Sequence, residues 1–484
     1  MSDATSKSVD GLVPAASSAS TPITPPNFRT IAMIIASGMF MEQLDATVLA
    51  TALPTMARDF AVTPPAVSIA LTSYLLSLAI FIPASGVIAD RFGSRNVFRL
   101  AIGLFMLGSL LCAQAPSLAF LVGARLLQGL GGAMMMPVGR LILMRNVARA
   151  DLVSATSWLL VPALVGPIMG PPVGGFIVSY LDWRWIFYIN LPIGCLGIVL
   201  VSLFIPEASE RIATPFDAKG FVLSGLALGM LLFGFELSSH EGLAAVSASL
   251  VCLGAACGVA YLMHARNHPA PIMDFRLMRV PSFRTSVIAG ALTRITQGAQ
   301  PFLLPLMLQL DFGLSAARAG SIVMATAVGS LGMKAVAPII LRHFGFRSSL
   351  IVVGLIATMG YASCAFFRPD WPLPVIFGIL ACCGFFMSFQ FTAYNTVAYA
   401  EIGPEQMSAA TSFYTTFQQL MLSLGICTGA LVLHGAILAR GHERPELSDF
   451  SVAFFIVTTI SLTATFWNMR FSRTVGEDMR GRRS

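Results

Sequence analysis

Two carboxylates and one arginine stand where charge is costly, and the carboxylates are the residues best placed to carry protons. Glu42 and Asp45 lie three residues apart in Met41-Glu42-Gln43-Leu44-Asp45-Ala46-Thr47, inside an apolar run. A helix would project both carboxyls from one face, where two acids oppose each other's ionisation. An acid at the middle of a bilayer costs about 2.5–3.5 kcal/mol on insertion scales, so it persists only against protein or water. Arg125, in Arg125-Leu126-Leu127-Gln128-Gly129, is the natural counter-charge, since a buried guanidinium stays protonated and needs an anionic or carbonyl partner. Further along, Arg294, Gln297 and Gln300 form a polar stripe at spacings of three, joined by Lys334, Gln390, Asn395 and Gln418. Such a stripe is untenable against lipid, so these residues are expected to line a cavity and touch a small-molecule substrate.

The elements that must hold these groups follow from composition. Of 484 residues, 56% are hydrophobic and 11% are charged, whereas a soluble domain carries about 25% charge. A bilayer core of about 30 Å needs roughly 20 apolar residues per helix. The sequence holds fourteen such runs, near 31–52, 67–89, 97–115, 118–143, 154–179, 185–205, 218–237, 243–264, 284–306, 315–341, 348–367, 372–399, 406–437 and 449–469. A β-barrel, with strands of about 10 residues and alternating polarity, is excluded. The expected fold class is an all-α polytopic membrane protein embedded in a lipid bilayer.

The chain repeats itself. Gly86-Val87-Ile88-Ala89-Asp90-Arg91-Phe92-Gly93-Ser94-Arg95 separates two apolar runs, and Pro338-Ile339-Ile340-Leu341-Arg342-His343-Phe344-Gly345-Phe346-Arg347 separates two others. Phe92, Gly93 and Arg95 fall on Phe344, Gly345 and Arg347 at a constant offset of 252 residues. A loop recurring between equivalent helix pairs implies two related halves. The expected organisation is a disordered tail (1–29), an N-terminal six-helix bundle (30–210), two inserted helices (211–268), a C-terminal six-helix bundle (269–472) and a basic tail (473–484). Lysines and arginines collect in alternate loops, which places both termini in the cytoplasm. The net charge of +7 is therefore a topology signal and implies no nucleic-acid partner.

Gly166-Pro167-Ile168-Met169-Gly170-Pro171-Pro172-Val173-Gly174-Gly175 places glycines at four-residue spacing, which lets a neighbouring helix approach closely. Asp182-Trp183-Arg184-Trp185 is expected to mark an interfacial aromatic belt. The eight cysteines lie in apolar runs without CxxC spacing, and the six histidines give no metal-site pattern, so no metal and no cofactor are expected. No nucleophile–base pair supports an enzyme.

These residues resemble the major facilitator superfamily. Gly86, Asp90, Arg91, Gly93 and Arg95 match its motif A, Arg125 with Gln128 and Gly129 its motif B. Gly166, Pro167, Gly170, Pro171, Gly174 and Gly175 match the antiporter motif C. Leu44-Asp45-Ala46-Thr47 with Ala52-Leu53-Pro54, and Trp183-Arg184-Trp185-Ile186-Phe187 leading to Asn190, are similar to the fourteen-span drug:proton antiporters of the EmrB/QacA type. Ala50 stands where that family usually has Asn, and Ser94 where it has a basic residue. The resemblance implies two six-helix bundles around a central cavity, alternating access, and proton-driven efflux of drugs across the cytoplasmic (inner) membrane. It implies coupling through Asp45, Glu42 and Arg125, and a latch formed by Asp90 with Arg91 and Arg95 at the cytoplasmic face of the outward-open state. A monomer is expected, with a periplasmic adaptor as a candidate partner. No ATP-binding motif occurs, so an ion gradient would supply the energy. The competing reading is an exporter of small organic anions or metal chelates such as citrate complexes, prompted by Arg294 and Lys334.

Overall fold

Lipid offers no hydrogen-bond partners, so each apolar run must satisfy its own backbone, and the helix does this within one segment. The computed structural model describes residues 28–147, 152–206, 216–237, 244–269, 271–403, 406–442, 444–472 and 475. The expected N-terminal tail lies outside them, apart from its last two residues, as does nearly all of the basic C-terminal tail. Among the described residues there is no strand, and fourteen helices reach fifteen residues or more. They are α1 (Phe28–Val48), α2 (Ile69–Phe92), α3 (Ser94–Ala113), α4 (Leu118–Asn146), α5 (Leu152–Tyr180), α6 (Asn190–Phe204) and α7 (Ala218–Leu237). Then follow α8 (Ala244–Asn267), α9 (Pro281–Leu310), α10 (Ala316–Phe344), α11 (Phe346–Ser363), α12 (Leu373–Val397), α13 (Met407–Arg440) and α14 (Leu447–Asn468). By length and composition eleven described helices can cross a membrane. The polar or partly described α5, α9 and α10 are 29, 30 and 29 residues long.

The repeated loop is repeated in conformation. One glycine with positive φ divides each helix pair, Gly93 (φ 87°) between α2 and α3 and Gly345 (φ 73°) between α10 and α11. In both, the glycine N–H caps the preceding helix, on Ala89 and Leu341 at 3.0 Å. Only glycine takes this backbone region without a Cβ penalty, which is why it survives at both positions.

Helices α1–α6 and α9–α14 form two groups that meet where α5 packs on α10 and α2 on α13. The pair α7–α8 packs mainly on itself, with α7 touching α2 and α13. The apolar clusters report where the groups join. The largest runs through both, from Val48, Leu53 and Phe187 to Phe302, Leu306, Ile322 and Phe454. It lies at the end of the molecule that carries Gly313. The other large clusters each stay within one group: Ile35, Phe98 and Met135 in the first, Met333, Phe389 and Val397 in the second. Hydrogen bonds from Gln309 to the Thr51 carbonyl (3.1 Å), from the Ala317 N–H to Ser179 (3.0 Å) and from Ser423 to the Thr72 carbonyl (3.2 Å) reinforce the same end. The groups are therefore closed together at the Gly313 end, with a cavity running from mid-helix toward the Gly93 end.

The aromatic-belt expectation fails at Trp183. Its side chain is buried and its Nε1–H donates to Asp59 at 2.7 Å, while Arg184 reaches the same carboxylate at 3.4 Å. An acid in the short helix Leu53–Asp59 gives the indole a hydrogen-bond partner, so Trp183 ties that turn down; Trp185 beside it is exposed.

A titrating group sits at the closed end. Asp311, just after α9, is held by burial, and then by repulsion from Asp449 and Glu446, at a pKa of about 6 against an ordinary 3.8. Its raised pKa means the closed fold favours the protonated form. That stabilisation is complete below 3.8 and lost as pH rises through about 6. Asp311→Asn is accordingly expected to raise the thermal unfolding midpoint above pH 6, with the difference closing in acid. A constant difference across pH would show that the charge is not the cause.

Candidate functional site

Helix α1 delivers Glu42 and Asp45, and α4 delivers Arg125 one helix diameter away. Arg125 Nη1 donates to Asp45 Oδ2 at 2.5 Å, and both side chains are fully buried. The same guanidinium donates to Gln128 Oε1 (2.6 Å) and, through Nε, to the Ala70 carbonyl (3.0 Å). Asp45 Oδ1 accepts from Gln128 Nε2 and Asn190 Nδ2, each at 2.9 Å, and Ser109 joins both amides. The guanidinium also lies over the Tyr74 ring, 4.3 Å from its centroid. A buried ion pair is tolerable only when its remaining lone pairs and protons are also satisfied. Here the amides of Gln128 and Asn190 do this for the carboxylate, whereas Arg125 Nη2 and Glu42 Oε2 keep no protein partner. Ser109 and Asn190 gave no signal as ligands of Asp45 in the sequence, where Asn190 figures only as the end of a similar stretch.

Glu42, Tyr74 and Arg125 line a cavity of about 670 Å³ between the two groups, together with Arg140, Gln297, Asn395, Tyr414 and Gln418. A second lobe of about 300 Å³ shares Ala50, Gln297, Pro301 and Phe391 with it and adds Thr47, Pro171, Gln300, Ser330 and Lys334. The structure thus brings Gln297, Gln300, Lys334, Asn395 and Gln418 to one central space. Arg294 stands one layer behind, buried, donating to Tyr414 Oη (3.2 Å) and Gln418 Oε1 (3.3 Å) and lying 5.7 Å from the Phe391 ring centroid. Among the described residues no carboxylate pairs with it. Arg140 was not among the expected substrate contacts and is exposed in the cavity.

One expected grouping is corrected, and another is not made in this state. Gln390 lines neither lobe: it is buried on the side of α12 facing Gly354 of α11, because its position on the helix turns it about a third of a circle from Phe391. Asp90 bonds neither Arg91 nor Arg95. Its partner is Arg145 at the end of α4, at 2.7 Å, while Arg95 donates to the Ser202 carbonyl of α6 and Arg91 lies over Phe92. The reach of α4 into this loop could not be read from motif spacing. Gly86 has open space where a Cβ would stand.

The motif C glycines face two ways. A Cβ on Gly166, Gly170 or Gly174 would run into Gln43, Thr47 or Val48 of α1, whereas one on Gly175 would overlap the Ala316 carbonyl of α10. Gly320 of α10 answers with the same approach to the Pro171 carbonyl. The α5–α10 contact at the closed end is thus backbone against backbone. Pro167 and Pro171 line the smaller lobe beside it.

A bundle of long apolar helices in two joined groups, with buried charge at the wall of a central cavity, defines a multi-pass membrane transporter. Residues 35–426 match the Major Facilitator Superfamily model, and the chain belongs to that family. It is 36% identical over 406 residues to the "Putative multidrug resistance protein MdtD" of Serratia proteamaculans (strain 568), covering 83% of this chain and 84% of that one. Similarity to the protein of that name from Cronobacter sakazakii (strain ATCC BAA-894) is also 36%, over 424 residues, 87% of this chain and 88% of the other. Among solved structures, a bacterial homologue of the human lysosomal transporter Spinster superposes with TM-score 0.67 at 14% identity, over 95% of this chain and 99% of that one. A D-xylose–proton symporter gives 0.66 at 15% identity, over 91% and 96%.

Proposed function

We propose that the protein is a proton-coupled antiporter that exports small organic compounds, drugs and toxicants among them, from the cytoplasm. The observation that carries this reading is the buried Asp45–Arg125 pair at the cavity wall, with Glu42 beside it. In this reading 30–210 and 269–472 are the moving bundles and 211–268 rides with them as an inserted pair. The arginines Arg91, Arg95 and Arg145 at the Gly93 end favour a cytoplasmic position for that end. The cavity then faces the cytoplasm in the state in which an exporter loads. Asp45, when ionised, holds Arg125. Protonation from the opposite side releases the guanidinium, which turns to the nearest anion or acceptor, either Glu42 or a substrate group. Loss of the fixed pair alters what α1 and α4 offer each other, and the bundles rearrange. Asp90 and Arg145 tie α2 to α4 within the first group at the cytoplasmic face, holding the Gly93 loop in place in this state. The drug reading draws on what the multidrug resistance relatives are named for. Its test is uphill uptake of a dye panel into inside-out proteoliposomes, with proton release to the outside recorded as substrate is added. Uptake without any pH response would remove the coupling.

A second reading, export of organic anions or metal chelates such as citrate complexes, is favoured by Arg140 and Lys334 in the cavity and by Arg294 behind Tyr414 and Gln418. When Glu42 and Asp45 take up protons, the space becomes net positive and suits an anion. Arg294→Gln is expected to weaken binding of anionic substrates by roughly a few-fold, through loss of a positive charge behind the cavity wall, and to leave permanent cations no worse bound. Equal handling of both classes by the variant would make Arg294 a structural tie.

A further inference from the structure

We infer that Asp217, His264 and His268 form a binding site for a divalent transition-metal ion at the base of the α7–α8 pair. His264 and His268 are four residues apart, so the last turn of α8 presents both rings to one side, 5.2 Å between centroids. Asp217, immediately before α7, faces them from the other helix: His264 Nε2 lies 2.7 Å from Asp217 Oδ1. Ligand atoms from all three residues fall within 4.8 Å of one another. A tetrahedral metal with bonds of about 2.0–2.1 Å places its ligands roughly 3.3 Å apart, so binding would open the 2.7 Å His264–Asp217 contact slightly and draw the His268 ring in.

A hydrogen-bonded helix staple explains only part of this arrangement. It needs one histidine and one carboxylate oxygen, and Asp217 Oδ1 already accepts from both His264 and the Gly220 N–H at 2.8 Å. The second oxygen, Oδ2, is buried without a protein partner on a side chain that is 2% exposed. Leaving such an oxygen unsatisfied costs about 1–3 kcal/mol. A cation held by Asp217, His264 and His268 satisfies the carboxylate. Beside the histidines lies a space of about 470 Å³, bounded by Lys219, Ala260, Met263 and Asn267, which gives access and room for a water as fourth ligand. Lys219 is the one nearby cation among those residues, and it is exposed on a flexible stem free to swing away. Two imidazoles with one carboxylate select zinc, cobalt, nickel or copper over calcium or magnesium, which prefer all-oxygen shells. The HxxxH spacing was present in the sequence, but its third ligand lies 47 residues before His264, so no linear pattern announced it.

The test is zinc titration of the full-length protein in lipid nanodiscs, purified with a tag that contains no histidine, at free Zn²⁺ set by a competing chelator dye. One ion per chain is expected, with X-ray absorption reporting two imidazole nitrogens. His268→Ala removes a ligand but leaves the His264–Asp217 bond, so it should fold normally and weaken zinc binding by at least the 10–100-fold seen for lesser, outer-shell changes. His264→Ala should weaken it comparably, and its metal-free melting temperature serves as a fold control. If wild type binds no stoichiometric zinc, or if His268→Ala binds it as tightly as wild type, the three residues are a staple and the metal site is overturned.

Discussion

Asp45→Asn is expected to abolish uphill efflux while the protein still inserts and binds substrate. The carboxylate accepts three side-chain hydrogen bonds, from Arg125, Gln128 and Asn190, and the asparagine oxygen can keep part of that set. It cannot take up a proton. Removing one partner of a buried ion pair costs about 3–5 kcal/mol, because the remaining charge is stranded, so loss of activity alone would not separate coupling from stability. The double variant Asp45→Asn with Arg125→Gln separates them. Deleting both charges relieves the stranded guanidinium and should restore a wild-type-like melting temperature, yet uphill transport should remain absent. Should the double variant pump normally, the pair is a structural tie and coupling resides elsewhere. Glu42→Gln should give a smaller loss, since Glu42 has no ion pair to break.

The second large effect is expected from Gly175→Ala and Gly320→Ala. In each, the new methyl would meet a backbone carbonyl of the facing helix, Ala316 or Pro171, and a carbonyl cannot rotate out of the way. Overpacking of this kind costs about 1–3 kcal/mol. The penalty falls only on the state in which α5 and α10 touch, so it appears as a population shift of roughly 5–150-fold toward opening of the Gly313 end. Gly174→Ala provides the contrast. Its methyl would meet the Val48 carbonyl within the same helix group, which moves as one body, so it should lower stability in both states without shifting their balance. Distances between spin labels at the exposed Tyr180 and Arg318 would read the difference. An unchanged distribution in Gly175→Ala would show that this contact does not hold the closed state.

The sequence by itself determined the class, the long apolar helices, the internal repeat and the few charges buried among them. These are linear properties: composition sets the solvent, run length sets the number of crossings, and a 252-residue offset is visible without coordinates. The pairing of Arg125 with Asp45 was legible too, because few charges in the first bundle compete for so costly a partner. Tertiary structure alone decided which neighbours complete the site and which end is shut. Ser109 and Asn190 reach Asp45 from α3 and α6, Asp90 finds Arg145 and not its own loop, Gln390 turns away from the cavity, and Trp183 is buried on Asp59. The reason is physical. In water an amphipathic stripe reveals which face of a helix is inside, but in a bilayer lipid is as apolar as the core, and the stripe fades. The rotation of each helix about its axis is then set by close packing at glycines and by a handful of buried hydrogen bonds. Those partners lie tens to hundreds of residues apart along the chain, and only the folded arrangement brings them together.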